Sequence, residues 1–303
     1  MNTKQLIIVA GPTAVGKTDM AVWLAKHFST EIINADSRQV YREMTIGTAL
    51  PSPEQQAGIR HHFIGHRSVY DYYNASLYET EALEVLNGLF EKHDVVVMAG
   101  GSGMYIDAVC RGIDAIPTVD AGVRERIRDA FMSAGLEGIR QKLRACDPVY
   151  YARVDLNNPQ RIRKALEIYE MTGRPYSSYL TGEIKKRSFS FVKIGLDMPR
   201  EELHDRINQR VDAMIERGLL QEARNLYASR HVNALNTVGY KELFGYIDNL
   251  CTLEEAVLQI KGHTRQYARR QLTWFRKDSS VQWFRPDEPE AILNYVCLKI
   301  KEQ

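Results

Sequence analysis

The sequence predicts an α/β fold: a doubly wound parallel sheet with an all-α domain inserted into it. Three observations carry this prediction. Short apolar runs alternate with amphipathic helical stretches over about the first hundred residues; a glycine-rich turn follows the first run directly; and residues 118–188 show helical periodicity with no strand among them. Parallel neighbours cannot be joined by a tight turn, so each strand needs a helical crossover before the next.

Leu6–Ala10 reads as the first strand. Gly11-Pro12-Thr13-Ala14-Val15-Gly16-Lys17-Thr18 follows it and fits the P-loop pattern, with a helix opening at its end. Gly11 and Gly16 permit a tight loop whose N–H groups point inward. Lys17 adds a positive charge, and Thr18 offers a hydroxyl to Mg²⁺. The sheet is therefore expected to be P-loop NTPase-like and its ligand phosphorylated. Glu31–Ala35 is the next strand. A helix from Ser76 to His93, opened by the capping box Ser76-Leu77-Tyr78-Glu79, places Leu83, Leu86 and Phe90 on one stripe. Val95–Met98 is a continuous apolar run of the kind buried on both faces.

From Thr118 the spacing turns helical, with Val123, Ile127, Ala130 and Phe131, then Leu136, Ile139 and Leu143. Asn158-Pro159 is an N-cap followed by proline at the first helical position, and Ile162, Leu166 and Tyr169 face inward from that helix. Phe189–Leu196 returns the chain to the sheet, Pro199 opens another helix, and the C-terminal third reads as helical. Residues 1–117 and 189–303 thus form the core, with a helical C-terminal part, and 118–188 the insertion.

At 303 residues and 44% hydrophobic composition the chain can bury a full core. No apolar run approaches the ~18 residues of a membrane span. Met1-Asn2-Thr3-Lys4 leads straight into the first strand and leaves no stretch for a signal or transit peptide. A cytoplasmic protein with no membrane partner, monomeric by default, is the expectation. Cys110, Cys146, Cys251 and Cys297 show neither C-x-x-C spacing nor a histidine at ligand distance, so neither zinc nor a disulfide framework is indicated. The net charge of +2 conceals an asymmetry: residues 1–117 carry 9 Lys/Arg against 13 Asp/Glu, residues 118–190 carry 14 against 9, and residues 191–303 carry 17 against 16. The basic middle suits either a polyanionic partner or a solvated helical surface.

A nucleotide triphosphatase needs a second acid at a strand end near the P-loop. The Val95–Met98 strand instead ends in Ala99-Gly100-Gly101-Ser102-Gly103, a turn that lets a substrate approach backbone and offers the Ser102 hydroxyl. The strand-end acid is Asp36, able to ligate Mg²⁺, to take a proton from a nucleophile, or to cap a helix. Arg161, Arg163 and Lys164 occupy the first turns of their helix, where cations oppose the macrodipole unless an outside anion is present; nucleic acid is expected there. Arg206 and Arg210, four apart on one face, suit a diphosphate or pair with Glu202, Asp205 or Asp212. Lys261–Lys277 holds six Lys/Arg and no acid, with Tyr267, Trp274 and Phe275 interleaved, a pattern for phosphate contacts plus base stacking.

Taken in order, GPTAVGKT, DSRQVYREMTIGTA, HHFIG, GGSGMY, NNPQRIRKALEI, VGYKE and TRQYARRQLTWFRK resemble the tRNA dimethylallyltransferases over nearly the whole chain. That resemblance implies transfer of a dimethylallyl group from dimethylallyl diphosphate to N6 of the adenosine next to the anticodon, with Mg²⁺ assistance. It implies that the Gly11–Thr18 loop cradles a diphosphate, Thr13 and Lys17 acting on it and Thr18 ligating Mg²⁺. Asp36 becomes the general base, and Ser102 stands where the family usually has Thr. Ser37, Arg38 and Gln39 lie against the target base and its neighbours. Arg124 and Gln160, Arg161, Ile162, Arg163 and Lys164 grip the tRNA anticodon stem-loop, and Asn236, Thr237, Val238, Gly239, Tyr240 and Lys241 add RNA contacts. The chain departs from the family at Leu50, where a lysine is common, and at Asn236-Thr237, where an arginine is often found. Three other readings stay open: a small-molecule P-loop kinase using Asp36 as base, an RNA-binding module with a nucleotide-sensing P-loop, and an adenylate isopentenyltransferase, whose mononucleotide acceptor needs few phosphate contacts.

Overall fold

A computed structural model of the chain describes residues 4–302; Met1–Thr3, which the sequence reading ran directly into the first strand, and Gln303 lie outside the described residues. Among the described residues six strands, β1 (Gln5–Ala10), β2 (Ile32–Asn34), β3 (His61–His62), β4 (Val95–Gly100), β5 (Ser190–Leu196) and β6 (Val281–Phe284), form one parallel sheet in the order β3-β2-β4-β1-β5-β6. The helices preceding β5 are α1 (Lys17–His27), α2 (Pro53–Gln56), α3 (Ala75–Phe90), α4 (Gly103–Arg111), α5 (Ala121–Cys146), α6 (Pro148–Tyr151) and α7 (Pro159–Thr172). After it come α8 (Arg200–Glu216), α9 (Leu219–Leu226), α10 (Tyr240–Ile247), α11 (Leu253–Phe275) and α12 (Pro289–Glu302). The described chain divides into two compact units, Gly112–Lys185 and the segments on either side of it.

In the larger unit β1 is buried along its length because both faces of the sheet are covered. Leu6, Ile8 and Ala10 join an apolar cluster with Leu86 of α3, Ile106 of α4 and Leu243 of α10. Ile7 and Val9 join a second with Leu24 of α1, Ile207 of α8 and Ile292 of α12. Two expectations change. Helix α3 starts at Ala75 and is capped by Asn74, whose side chain accepts from the Leu77 N–H at 2.9 Å, so Ser76 lies inside the first turn. Glu79, the expected box partner, is buried and bonded by Arg187 at 2.7 Å instead. The C-terminal third also contributes β6, which pairs with β5 from Lys193↔Val281 onward. Its four residues are too short a run to show a period, and β3 has two.

The smaller unit has its own core, with Val123, Ile127 and Leu143 of α5 against Ile162 and Leu166 of α7, and no strand among its described residues. Gly135 takes φ 65° and ψ −169° inside α5, so two helices meet there, between the Phe131 and Leu136 halves of the periodic pattern. The unit's limits, Gly112 and Lys185, lie before the boundaries read from periodicity: Arg187 is bonded to Glu79 and Val109 of the larger unit, and Asp114 explains the earlier start. Its Oδ1 accepts from the Thr181 N–H (3.0 Å), the Thr181 hydroxyl (2.7 Å) and the Gly182 N–H (3.1 Å), fastening the incoming segment to the outgoing one. No described helix is long and apolar enough to cross a membrane.

Candidate active site

Ligands of open parallel sheets sit beyond the carboxyl ends of the strands. Here the ends of β1, β2 and β4 meet around a cavity of about 300 Å³ in the larger unit. The P-loop turns sharply out of β1. Gly16 caps α1 at φ 103°, a conformation that costs glycine nothing, and the first turn of α1 then presents Lys17 and Thr18 to the cavity. Val15 is fully buried and anchors the loop by packing. The Lys17 ammonium donates to the Pro12 carbonyl at 2.7 Å. Burial pushes its pKa down to about 8, against the attraction of Asp36 and with the repulsion of Arg210.

Asp36 follows β2. Its Oδ1 accepts from the N–H groups of Arg38 (2.9 Å) and Gln39 (3.3 Å), while Oδ2 accepts no hydrogen bond from the described residues, so the side chain both fastens a turn and offers a carboxylate oxygen to the cavity. The Ser102 hydroxyl accepts from the Ser37 N–H at 2.9 Å and donates to the Ser37 hydroxyl at 3.1 Å, tying the loop after β4 to the loop after β2. Gln39 spends its amide N–H groups on the carbonyls of Thr48 and Ala49, both at 3.1 Å. Arg38 donates to the Asn233 carbonyl at 3.5 Å. Tyr267 of α11 lines the same space, its phenol pKa raised by burial and then by the Asp36 charge.

The glycines after β4 do something other than expected. A side chain on Gly100 would lie 2.1 Å from the Ala35 carbonyl oxygen, one on Gly101 2.1 Å from the Gln271 amide nitrogen, and one on Gly103 2.2 Å from the Trp274 indole. They make room for the protein's own atoms. Gln271, buried on α11, accepts from the Thr13 N–H and donates to the Gly101 carbonyl, both at 2.9 Å, so a single side chain joins the P-loop to the β4 loop. In the sequence Gln271 is hidden within a segment marked by basic and aromatic residues. Gln271→Leu leaves the buried Gly101 carbonyl and the part-buried Thr13 N–H unpaired, at an expected cost of about 1–3 kcal/mol. Urea unfolding would measure it, and a loss below about 1 kcal/mol would mean the bridge contributes nothing.

Arg206 and Arg210 project from α8 into the cavity, with an Arg206 guanidinium nitrogen 3.9 Å from where a Gly16 side chain would begin. Arg206 also lies 3.8 Å from Glu202. Burial lowers the Arg210 pKa while Asp36 opposes that shift. The lining also holds an apolar wall of Val211, Met214, Leu219, Val238 and Ile260, which belong to one hydrophobic cluster. The space is thus cationic at the P-loop and hydrocarbon-like along one side.

Among Asn236–Lys241, Asn236 and Lys241 are exposed, and Thr237, Val238 and Gly239 line the cavity. Tyr240 is corrected: it is fully buried, its phenol donating to Glu222 at 2.7 Å, which removes it as a surface contact. Ile162 is corrected for the same reason, being a core residue of the smaller unit. In that unit Gln160 and Arg161 are exposed, while the charges of Lys164, Arg124 and Arg163 all act on the half-buried Glu167, whose pKa burial raises. Residues α5 and α7 supply thus converge. Lys261–Lys277 finds its missing acids on other elements: Lys261 pairs with Asp212 at 2.7 Å and Arg276 with Asp197 at 2.5 Å, while Arg265 donates to Asn208 at 2.7 Å.

No cluster of three or more His, Cys, Asp or Glu able to hold a metal occurs among the described residues. Mg²⁺ does not require one, since it keeps most of its waters and takes one or two protein oxygens beside phosphate. The Thr18 hydroxyl, which lines the cavity at the P-loop, is an oxygen donor of that kind.

Residues 39–278 match the family described as IPP transferase. The chain is 50% identical to tRNA dimethylallyltransferase 1 of Bacteroides fragilis over 99% of this chain and all of that one. It is 52% identical to tRNA dimethylallyltransferase 2 of Porphyromonas gingivalis over 93% of this chain and 94% of that one. The crystal structure of the tRNA isopentenylpyrophosphate transferase from Bacillus halodurans superposes with a TM-score of 0.73 at 36% identity, covering 99% and 97% of the two chains. A eukaryotic dimethylallyltransferase acting on tRNA gives a TM-score of 0.73 at 28% identity, over 90% of this chain and 70% of that one. With a P-loop sheet, a strand-end aspartate and a cavity half cationic and half apolar already in place, these matches settle the lineage: the chain belongs to the IPP transferase family, that of the tRNA dimethylallyltransferases.

Proposed function

We propose that the protein transfers a dimethylallyl group from dimethylallyl diphosphate to N6 of the adenosine adjacent to the anticodon of tRNA, releasing diphosphate. The observation that carries this reading is the two-sided cavity. Lys17, Arg206 and Arg210 suit a diphosphate, and the wall from Val211 to Ile260 suits a short branched hydrocarbon. In the reaction the allylic C–O bond breaks, a C–N6 bond forms, and the N6 proton passes to Asp36, whose Oδ1 is held in place by the Arg38 and Gln39 amides. Lys17, Arg206 and Arg210 stabilise the charge that grows on the departing diphosphate. Thr18 would hold Mg²⁺, which when bound supplies further charge neutralisation there. An exocyclic amine inside a stacked loop cannot be reached, so the adenosine must leave the stack to enter the cavity.

The cationic group of the smaller unit, Arg124, Arg161, Arg163 and Lys164, is assigned to the phosphates of the anticodon stem-loop, with the protein acting as a monomer in the cytoplasm. Neutralising Arg161 and Lys164 is expected to lower tRNA affinity and to reduce the slope of log K against log salt by roughly 1.5–2, with donor affinity unchanged. An unaltered slope would remove this unit from tRNA binding.

The whole reading is tested by incubating the protein with Mg²⁺, labelled dimethylallyl diphosphate and tRNA lacking the modification, with AMP as a parallel acceptor and ATP as competitor. Label in tRNA is the expected result. Label in AMP would make the protein a mononucleotide isopentenyltransferase, and ATP consumption without transfer would make it a kinase.

A further inference from the structure

Two segments that line the cavity, Gly47-Thr48 and Thr237-Val238-Gly239, come from distant parts of the sequence, and one carboxylate outside the cavity fastens the first to the end of the second. Glu222 lies one turn beyond Leu219 on α9. Its Oε2 accepts from the Thr45 N–H (3.0 Å), the Thr45 hydroxyl (2.7 Å) and the Ile46 N–H (2.8 Å). Its Oε1 accepts from the Gly47 N–H (2.9 Å) and the Tyr240 phenol (2.7 Å). Tyr240 in turn lies flat on Gly47, where any side chain would sit 2.7 Å from the ring. Five donors converge on two oxygens, every one of them neutral. A carboxylate whose partners carry no charge adds little to global electrostatics, but it fixes the geometry of whatever its partners belong to.

We propose that Glu222 is a positioning residue for the donor: it holds the 45–47 loop against Tyr240 and so sets the wall that receives the dimethylallyl group. This rests on the donor reading given above. It acts through Gly47, Thr48 and Val238 and touches no reacting atom.

Glu222→Gln is the informative change because it keeps shape and volume. An amide presents one oxygen, so its NH₂ must face either the Thr45 and Ile46 donors or the Gly47 N–H, and one set loses its acceptor. The P-loop makes none of these bonds. Isothermal titration with two probes separates the effects. Glu222→Gln is expected to weaken dimethylallyl diphosphate about tenfold or more while leaving inorganic diphosphate unchanged, and to raise the donor KM with kcat at saturating donor retained. Tyr240→Phe keeps the ring on Gly47 and loses one hydrogen bond. It should shift donor affinity in the same direction by about two- to tenfold, which keeps the test available should the first variant fold poorly. Equal weakening of both probes, or no change in either, would overturn the proposal. If the unaltered protein binds dimethylallyl diphosphate no more tightly than inorganic diphosphate, the wall receives no hydrocarbon and the donor reading falls with it.

Discussion

Asp36→Asn is expected to lower turnover on the order of 10²–10⁴-fold while donor binding at pH 7 is retained or improves. Asparagine is the decisive choice over alanine. The Oδ1 of Asp36 holds the Arg38 and Gln39 amides, and alanine would release that turn as well as removing the base. Asparagine keeps the acceptor and removes the charge, so a loss in turnover reports the proton transfer alone. Donor affinity has reason to rise, because the variant removes a negative charge from among the cations that receive the diphosphate. Single-turnover transfer to unmodified tRNA, alongside titration of the donor, separates the two quantities. A parallel fall in both would show that Asp36 serves the shape of the site and not its chemistry.

Lys17→Met is expected to weaken the donor by about 2–5 kcal/mol while changing fold stability little, because losing the bond to the Pro12 carbonyl offsets the relief of a buried charge. Burial pushes the Lys17 pKa down to about 8 from its ordinary value of 10.5. Burial penalises the ammonium, and methionine escapes that penalty with a side chain of similar length. The same shift fixes the pH dependence of binding. Diphosphate favours the ammonium form and so raises the pKa in the complex. Affinity is therefore flat below the free value and falls as pH rises through about 8, by at most one logarithmic unit per pH unit, until the pKa of the complex is passed. A profile flat from pH 6 to 10 would mean that Lys17 does not meet the ligand.

What the sequence made legible was whatever repeats with a period or sits beside its partner. β1 and β4 are buried on both faces and read as apolar runs, and β5 keeps that character on either side of the buried Lys193. The P-loop is a local pattern, and Asp36 follows from a topological rule applied to the second strand. Arg206 and Arg210 were read from their four-residue spacing, and the cavity contains both. Less visible were residues whose meaning depends on distant neighbours. Gln271 has no pattern of its own, and its bonds to Thr13 and Gly101 cross most of the chain. Glu222 looks like any surface glutamate on an amphipathic helix. The glycines after β4 were legible as a close approach but not as one by the protein itself. Tyr240 shows the opposite error: a motif marks it as functional, whereas its burial assigns it to holding the loop that functions.

The bond between Gln271 and Thr13 spans 258 residues. A ribosome extending the chain at 5–20 residues per second takes roughly 13–50 s to cover that distance, and through all of it the Thr13 N–H lacks the Gln271 partner. The nascent chain therefore carries an unfinished phosphate cradle until α11 is made. A message truncated before that point encodes a P-loop without its tie to the loop after β4.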